Sequence, residues 1–326
     1  MFKKFLLVLV AVFSLFAFTA CGKRTYKADG VYTAFSASVN KGAPQVTAVT
    51  VTIKDDKIDS FYIDCLQSTA VKTDDVVTGF NFNEKTKKEL GYGYRMHGKR
   101  ELSEEKYKEY LEENDLLEWF EQAELLEAYF KANGTTLETD KDGKIQNVTN
   151  VTIADSDYSK LAAEAVANAK AGKVQNWTAY VSGTQVNLVW AEGTVNEKGE
   201  LTSLTLDTLQ GRFADGAVTW NEKAKQELGY LYGMHNKGDK ENDYTAQDLK
   251  TTAGLDAYKA YLNKTGKKEW FEQANLLSDY VLKNGLTNVK VATGGKLENA
   301  PEGIATITVT VSHYVDVMKA LLADLK

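Results

Sequence analysis

The fold of this chain is set by the stretch Gln45-Val-Thr-Ala-Val-Thr-Val-Thr-Ile53, Lys54-Asp-Asp-Lys57 and Ile58-Asp-Ser-Phe-Tyr-Ile-Asp-Cys-Leu66. Apolar and polar side chains alternate on both sides of a short charged segment. Because successive side chains of a strand point to opposite faces of a sheet, this alternation predicts two strands with one buried face each. The charged segment between them predicts a tight turn. The stretch therefore predicts an antiparallel hairpin.

The hairpin belongs to a unit that occurs twice in the chain. The matching blocks are Asp64–Gln67 with Asp207–Gln210, Glu89–His97 with Glu227–His235, and Glu118–Ala123 with Glu269–Ala274. Val186–Thr194, the turn Asn196–Gly199 and Leu201–Leu209 repeat the hairpin itself. Since the order of all blocks is kept, the chain is a tandem duplication with copies over 26–173 and 174–326. Only Ala171–Asn176 joins them, which predicts separate but closely packed units.

Helices follow the hairpin in each copy. Leu116, Phe120, Ala123, Leu126 and Phe130 recur at spacings of three and four, as expected for a helix with one face on a core. Asn133-Gly134 and Asn284-Gly285 predict the ends of these helices, because a C-terminal turn needs a residue that tolerates positive φ.

Start signals predict two further helices in each copy. We expect Asn83 and Asn221 to cap a short helix that carries the Glu-Leu-Gly-Tyr block, and a closing strand to lead to a last helix capped by Ser156 or Ser312. The predicted fold class is α+β, with an antiparallel sheet and packed helices in each copy.

The amino terminus has the pattern of an export signal. Lys3 and Lys4 precede an apolar run over Phe5–Phe18, which is followed by small residues and Cys21. Phe18-Thr-Ala-Cys21 resembles the lipobox of bacterial lipoproteins. The resemblance implies that residues 1–20 are a signal peptide, that 21–25 is an anchor linker, and that Cys21 carries acyl chains such as palmitate. The expected location is the extracellular face of the cell membrane, held by lipid and not by a span.

Composition and charge narrow the classes of partner. The chain has 326 residues, of which 43% are hydrophobic, enough for two folded domains. Removing residues 1–20 takes away Lys3 and Lys4 and no acid, so the net charge of −6 becomes −8. That charge disfavours nucleic acid. With Cys21 acylated, Cys65 is the remaining thiol, so neither an internal disulfide nor a cysteine metal cluster is expected, and no metal site is predicted.

Two segments resemble a known family. Lys27-Ala-Asp-Gly-Val-Tyr-Thr33, followed by Val51-Thr-Ile-Lys-Asp-Asp-Lys-Ile58, is similar to the opening of FMN-binding domains found in bacterial lipoproteins. Val148-Thr-Asn-Val-Thr152 before Tyr158, and Ile304-Ala-Thr-Ile-Thr308 before Tyr314, occupy the place of the closing motif of that family. The resemblance implies two tandem FMN-binding-like domains of the extracellular electron-transfer type.

The resemblance also implies a site. A flavin transferase would join FMN through its phosphate to Thr152 or Thr308, and a membrane electron donor would reduce it. We expect the phosphate near the start of the last helix, beside Ser156 or Ser312. The candidates for the wall of the flavin ring are Tyr94 with His97 and Tyr232 with His235, each pair predicted to share one helical face.

Three functions remain open on the sequence. Asn150-Val151 and Thr306-Ile307 stand where the family has Gly-Ala, and a β-branched residue there stiffens the backbone. The chain is therefore interpreted as a flavin electron carrier or, alternatively, as a lipid-anchored surface binding or structural protein without flavin. No nucleophile, base and orienting group can be assembled from the sequence, so a carrier or binding protein is favoured over a turnover enzyme.

Overall fold

The computed structural model describes residues 24–325 and has an α+β fold. The predicted signal peptide, Cys21 and the first part of the predicted linker lie outside the described residues. Each copy forms one four-stranded antiparallel sheet in which the strands follow chain order. The strands of the first sheet are β1 Gly30–Asn40, β2 Ala43–Lys54, β3 Lys57–Thr73 and β4 Val76–Phe82, and those of the second are β5 Lys173–Ser182, β6 Gln185–Val195, β7 Leu201–Ala214 and β8 Ala217–Trp220.

Four helices follow the strands of each sheet within residues 24–325. They are α1 Lys87–Leu90, α2 Glu104–Glu113, α3 Trp119–Asn133 and α4 Tyr158–Ala171 in the first copy, and α5 Lys225–Leu228, α6 Thr252–Thr265, α7 Trp270–Asn284 and α8 Ser312–Asp324 in the second. Short 3-10 helices span Gly91–Gly93 and Gly229–Tyr232, and a two-stranded ribbon pairs β9 Lys290–Val291 with β10 Leu297–Glu298.

The predicted hairpins are confirmed in both copies. β2 and β3 pair on either side of Asp55-Asp56, and β6 and β7 pair on either side of 196–200. On β2 the buried side chains of Val49, Val51 and Ile53 alternate with half-buried threonines. Helix α4 packs on β1 and β2, and α3 packs on β3. The hairpin thus supplies the floor of the core, as its period of two predicts.

The central helices end as their sequence predicts. Gly134 follows α3 with a φ of 85°, and its N–H donates to the carbonyl of Phe130. Gly285 follows α7 with a φ of 72° and donates to the carbonyl of Val281. Positive φ is accessible to glycine without steric cost, so these two residues fix where the chain leaves each helix.

The predicted caps and the closing strand are wrong. The helix α1 is capped by Thr86, and α5 begins after Ala224, because Asn83 and Asn221 still donate backbone hydrogen bonds to the sheet. The residues before α4 and α8 are Asp157 and Val311, so Ser156 and Ser312 cap neither helix. In place of a closing strand, residues 134–157 form loops with isolated bridges.

The two copies share a core and keep separate sheets. One continuous cluster of buried side chains draws on both copies. The strand β1 contacts β5, and Phe35 lies 6.1 Å from Trp177 and 5.8 Å from Trp190 between ring centroids. The chain passes from α4 to β5 through Gly172 alone, which has a φ of 76°. The copies are therefore packed face to face, and the division at 173/174 stays a prediction.

Candidate binding clefts of the two copies

A buried carboxylate organises the first copy. Glu118 is 0% exposed and precedes α3. It accepts hydrogen bonds from the Trp119 N–H at 2.7 Å, from the Met96 N–H at 3.2 Å and from Tyr107 Oη at 2.6 Å. A buried charge is tolerated only when it is hydrogen-bonded, and three donors meet that condition here. Glu118 thereby ties together the segment after the 3-10 helix, α2 and α3.

The second copy repeats this arrangement. Glu269 is also 0% exposed and accepts from the Trp270 N–H at 2.8 Å, from the Met234 N–H at 3.1 Å and from Tyr258 Oη. Burial, followed by the hydrogen bond to the glutamate, raises the pKa of Tyr258 well above its usual value. The glutamate that opens each Glu-Trp-Phe-Glu-Gln-Ala block thus has a structural role.

The glutamine of the same block holds the two threonines that the family resemblance singles out. Oε1 of Gln122 accepts from the Thr152 N–H at 2.7 Å and from Thr152 Oγ1 at 3.2 Å. Gln273 accepts from Thr308 in the same way, at 2.7 and 3.3 Å. Both glutamines are buried and both threonines are exposed. Each threonine is therefore a fixed surface position beside the start of a central helix.

The two histidines are also fixed in equivalent ways. Nε2 of His97 lies 2.9 Å from the carbonyl oxygen of Leu117, and Nε2 of His235 lies 3.1 Å from that of Lys268. Because a carbonyl only accepts, the proton of each ring is assigned to Nε2. Each imidazole therefore holds the loop that leads into a central helix.

A cleft of about 490 Å³ brings Thr152 and His97 together in the first copy. Its volume lies within the range of small-molecule sites. Its lining consists of Tyr92, His97, Lys108, Leu111, Glu112, Asp115, Leu116, Leu117, Glu121, Gln122, Asn150 and Thr152. We call it the first cleft. It unites two of the four residues predicted for the first copy, whereas Tyr94 and Ser156 are not in its lining.

The wall of the first cleft is aromatic and acidic. The rings of Tyr92 and Phe120 meet edge to face, with centroids 5.0 Å apart. Tyr92 Oη donates to Oε1 of Glu121 at 2.9 Å. Burial, then this hydrogen bond and the nearby carboxylates, raises the pKa of Tyr92 to about 12. The phenol stays protonated at neutral pH and remains a donor.

The charges of the first cleft do not balance. Glu112, Asp115 and Glu121 are in its lining together with Lys108. The ammonium of Lys108 is paired with Glu104 on the same helix at 2.7 Å and lies 4.5 Å from the centroid of Tyr92. The carboxylates therefore outnumber the cation, and the first cleft is an electronegative site.

The corresponding surface of the second copy has a different charge. The frame is retained, since Tyr230 meets Phe271 at 5.0 Å and its Oη donates to Glu272 at 3.1 Å. In the aligned segments, Glu112, Asp115, Leu116 and Leu117 correspond to Asn263, Gly266, Lys267 and Lys268. Lys267 is paired with Asp239 at 2.9 Å. In the second copy the two carboxylates are thus replaced by uncharged residues, and the two leucines by lysines.

Tyr94 and His97 do not form the predicted ring wall. The 3-10 helix ends at Gly93 and Arg95 has a φ of 58°, so no helical face carries both side chains. Tyr94 instead packs on Trp119, at 6.4 Å between centroids, with Lys87 Nζ 4.9 Å from both rings. In the second copy Gly233 has a φ of 62°, and Tyr232 packs on Trp270 at 6.5 Å. Each tyrosine thus packs beside a lysine, Lys87 in the first copy and Lys225 in the second.

Ser156 lies in another cavity, of about 390 Å³, on the α4 side of the first sheet. Lys87, Cys65 and Tyr158 also line it. Cys65 is 2% exposed, and burial raises the pKa of its thiol, so it behaves as a packed core residue as expected. In the second copy Ser312 is the first residue of α8, and its N–H donates to the carbonyl of Gly295.

The second copy contains a buried acid and a buried base that sequence reasoning missed. Asp207 accepts from the backbone N–H groups of Thr208 and Gln226, yet burial raises its pKa to about 6. Burial lowers the pKa of Lys225 to about 8, and its Nζ lies 4.7 Å from the ring centroid of Tyr232. Lys87 and Lys225 stand at matching positions before the Glu-Leu-Gly-Tyr block. This recurrence was the sequence signal that could have identified the buried lysines.

Comparison of the chain with protein-family models, curated proteins and solved structures finds no match.

The residues predicted to bind FMN in the first copy do not all line one cavity, and FMN binding stays a prediction. The phosphate was expected beside Ser156, which lies outside the first cleft. A phosphate in the first cleft would share it with the carboxylates of Glu112, Asp115 and Glu121, and like charges repel each other. For metals, residues 24–325 contain no group of three His, Cys, Asp or Glu side chains that could hold an ion.

Proposed function

We propose that this chain is an exported, lipid-anchored binding protein, and that its first cleft takes a small cationic ligand with an apolar or aromatic part. The observation that carries the proposal is the difference between the two copies. The frame residues Glu118, Gln122 and His97 have counterparts with the same contacts in the second copy. Two acidic residues of the cleft rim do not, because Glu112 and Asp115 correspond to Asn263 and Gly266.

The chemistry of the first cleft supports this ligand class. Glu112 and Asp115 are exposed on its rim, and Glu121 is half-buried beside Tyr92. Leu116 and Leu117 add apolar surface. A ligand of this class is attracted by the carboxylates through its charge and by the two leucines through its apolar part. An anion such as a phosphate has neither advantage here.

The lipid anchor is supported by the amino-terminal sequence pattern. Phe18-Thr-Ala-Cys21 places the acylation site three residues before Arg24, the first described residue. None of the helices within residues 24–325 is long and apolar enough to cross a membrane. The resemblance of Phe18-Thr-Ala-Cys21 to a lipobox is the reason that lipid on Cys21, at the extracellular face, is part of the proposal.

The ligand class can be tested with two probes of similar shape and opposite charge, benzyltrimethylammonium and benzoate. Calorimetric titration of the full-length lipidated protein in detergent should detect the cation and not the anion. Glu112→Gln and Asp115→Asn should each weaken binding by roughly fivefold, since a charge pair near water is worth about 1 kcal/mol. The matched control is Glu105→Gln, an exposed acid of the same helix outside the cleft lining, which should leave binding unchanged. Equal binding of both probes would refute the proposed ligand class.

The same protein tests the electron carrier that the family resemblance implies. When it is produced together with a flavin transferase, the proposal expects no mass increase. A gain of one FMN unit that is lost in Thr152→Ala and retained in Thr308→Ala would replace the cationic ligand by a covalent flavin. The membrane electron donor of the sequence-based interpretation would then become the expected partner.

A further inference from the structure

We propose that the folded body rests with one defined end directly against the lipid headgroups. We call it the anchor end and define it by Arg24–Asp29, the β2–β3 turn at Asp55-Asp56, and the β6–β7 turn at 196–200. The inference rests on the proposed lipid anchor at Cys21. It goes further by stating which surface of the two copies faces the membrane and which faces away.

The chain is fastened to this end from its first described residues. Both N–H groups of Thr25 and Tyr26 donate to Oδ1 of Asp56, at 3.1 and 2.9 Å. The carboxylate of Asp29 pairs with Arg24 and accepts from the Asp55 N–H at 2.8 Å. Tyr26 is 9% exposed. These contacts fix Arg24, Thr25 and Tyr26 on the anchor end.

The connection to the lipid is therefore short. Arg24 is three residues from Cys21, and a fully extended chain covers at most about 3.6 Å per residue, or about 11 Å in total. The strand β1, with 11 residues, leads away from Gly30 over about 35 Å. The anchor end is thus held within about 11 Å of the acylated residue, whereas the opposite end of the sheet lies about 35 Å further along β1.

Both copies contribute to the anchor end. The Lys27 N–H donates to the carbonyl of Ala169 at 2.9 Å, and the Val195 N–H donates to that of Gly172 at 2.8 Å. The β6–β7 turn follows Val195 immediately. The last helix of each copy, α4 or α8, also ends here. Asp324, at the end of α8, lines one small cavity together with Asp29 and Gly199.

The opposite end is formed by the other set of turns. The Val218 N–H donates to the carbonyl of Gly42 at 2.9 Å, so the β1–β2 turn meets β8 there. Trp220 Nε1 donates to the carbonyl of Ser38 at 3.0 Å. The β5–β6 turn, at Gly183-Thr184, also lies at this end, because β6 runs from it towards the anchor end. These turns are expected to face the medium.

The anchor end has the surface of a protein that lies on headgroups and does not enter the acyl region. The exposed side chains on and next to its segments carry both signs: Arg24, Lys54, Lys57 and Lys198 beside Asp29, Asp55, Glu197 and Glu200. A mixed surface of this kind adds little attraction to a lipid surface of either charge. The lipid on Cys21 then provides the binding, and the short connection provides the orientation.

The placement can be tested on the full-length lipidated protein in phosphatidylcholine vesicles that carry a nitroxide on the headgroup. A fluorophore is attached to Lys198→Cys at the anchor end or to Ser182→Cys at the opposite end, both exposed positions flanking β6. Cys65 is buried and Cys21 acylated, so the introduced thiol is the one labelled. The nitroxide should quench the label at position 198 several-fold more than the label at position 182.

A linker variant separates the effect of the short connection from any other cause. Twenty Gly and Ser residues inserted between Cys21 and Arg24 add a mean reach of about 25 Å, which should remove the difference in quenching. Equal quenching of the two labels on vesicle-bound protein without the insert would overturn the placement and leave the anchor intact. Protein that fails to stay on the vesicles would overturn the anchor, and the placement with it.

Discussion

Oε1 of Gln122 accepts hydrogen bonds from both the amide and the hydroxyl of Thr152, two groups of a loop 30 residues further along the chain. Its Nε2 donates to the carbonyl of Leu117 at 3.0 Å. One buried amide therefore holds two sides of the first cleft together.

Replacing this amide should loosen the cleft. Gln122→Ala removes the acceptor of the Thr152 and Ile153 N–H groups, and at about 0.5–1.5 kcal/mol for each of these two hydrogen bonds we expect a loss of about 1–3 kcal/mol in the free energy of unfolding. Urea unfolding followed by tryptophan fluorescence measures it. Gln146→Ala, an exposed residue of the same loop region, should have little effect. Equal losses in the two variants would contradict a special role of Gln122.

The hydroxyl of Tyr107 is expected to stabilise the buried charge of Glu118. Tyr107→Phe removes the donor at 2.6 Å from Oε2 and keeps the ring, so the cost should be about 1.5–3 kcal/mol, as for hydrogen bonds to charged groups. Thermal unfolding provides the comparison. The nearby Tyr110→Phe serves as the control, since Tyr110 is only half-buried. A Tyr107→Phe protein as stable as this control would show that Glu118 does not need the bond.

Asp207 and Lys225 should make stability depend on pH in opposite directions. The pKa of Asp207 is raised on folding from 3.8 to about 6, so its stabilising contribution is complete below pH 3.8 and is lost as the pH rises through 6. The pKa of Lys225 is lowered from 10.5 to about 8, so its contribution is present above pH 10.5 and is lost as the pH falls through 8. Together the two pKa shifts predict that these groups stabilise the fold least between pH 6 and 8.

Two variants check the two limbs of this dependence. Asp207→Asn keeps an oxygen for the N–H groups of Thr208 and Gln226, and should flatten the decline in stability between about pH 4 and 6 relative to the wild type. Lys225→Met keeps most of the packing on Tyr232 and should flatten the rise above about pH 8. The check is the melting temperature as a function of pH. If the melting temperatures of both variants changed with pH as that of the wild type does, Asp207 and Lys225 would not be the source of the dependence.

Membrane attachment is predicted to depend on Cys21. Cys21→Ala removes the thiol that would be acylated, so the protein should accumulate as precursor or appear in the medium. Fractionation of cells followed by mass determination distinguishes these outcomes. Cys65→Ala, which changes the buried thiol, should remain in the membrane fraction. Mature, membrane-bound Cys21→Ala protein would be incompatible with the anchor.

Much of the fold follows from the sequence because its signals are periodic. The alternation from Val46 to Leu66 specifies a hairpin, and the positive φ of Gly134 ends a helix where Asn133-Gly134 predicts it. The caps could not be identified in this way. Asn83 and Thr86 both have side chains suited to capping α1, and the choice between them depends on where the sheet ends.

The candidate site could be predicted from the sequence less completely than the fold. The sequence selects Thr152 and His97, which meet in one cleft, but it also pairs His97 with Tyr94, which lies elsewhere. That error comes from assuming that the helix continues beyond Gly93. The roles of Glu118 and Gln122 depend on partners that are distant in the chain. The sequence shows that both residues are retained in the two copies, but it does not show which residues they contact.

The contact between Phe35 and Trp177 also describes how the copies are related. Phe35 pairs with Ala48 and Trp177 with Trp190, and the register of the two sheets makes these pairs equivalent. Residues at matching positions thus touch each other, and β1 meets β8 as β4 meets β5. Such self-matching is the property of an isologous interface with two-fold symmetry. A chain reduced to one copy would present half of a symmetric contact, and in solution it should pair with itself.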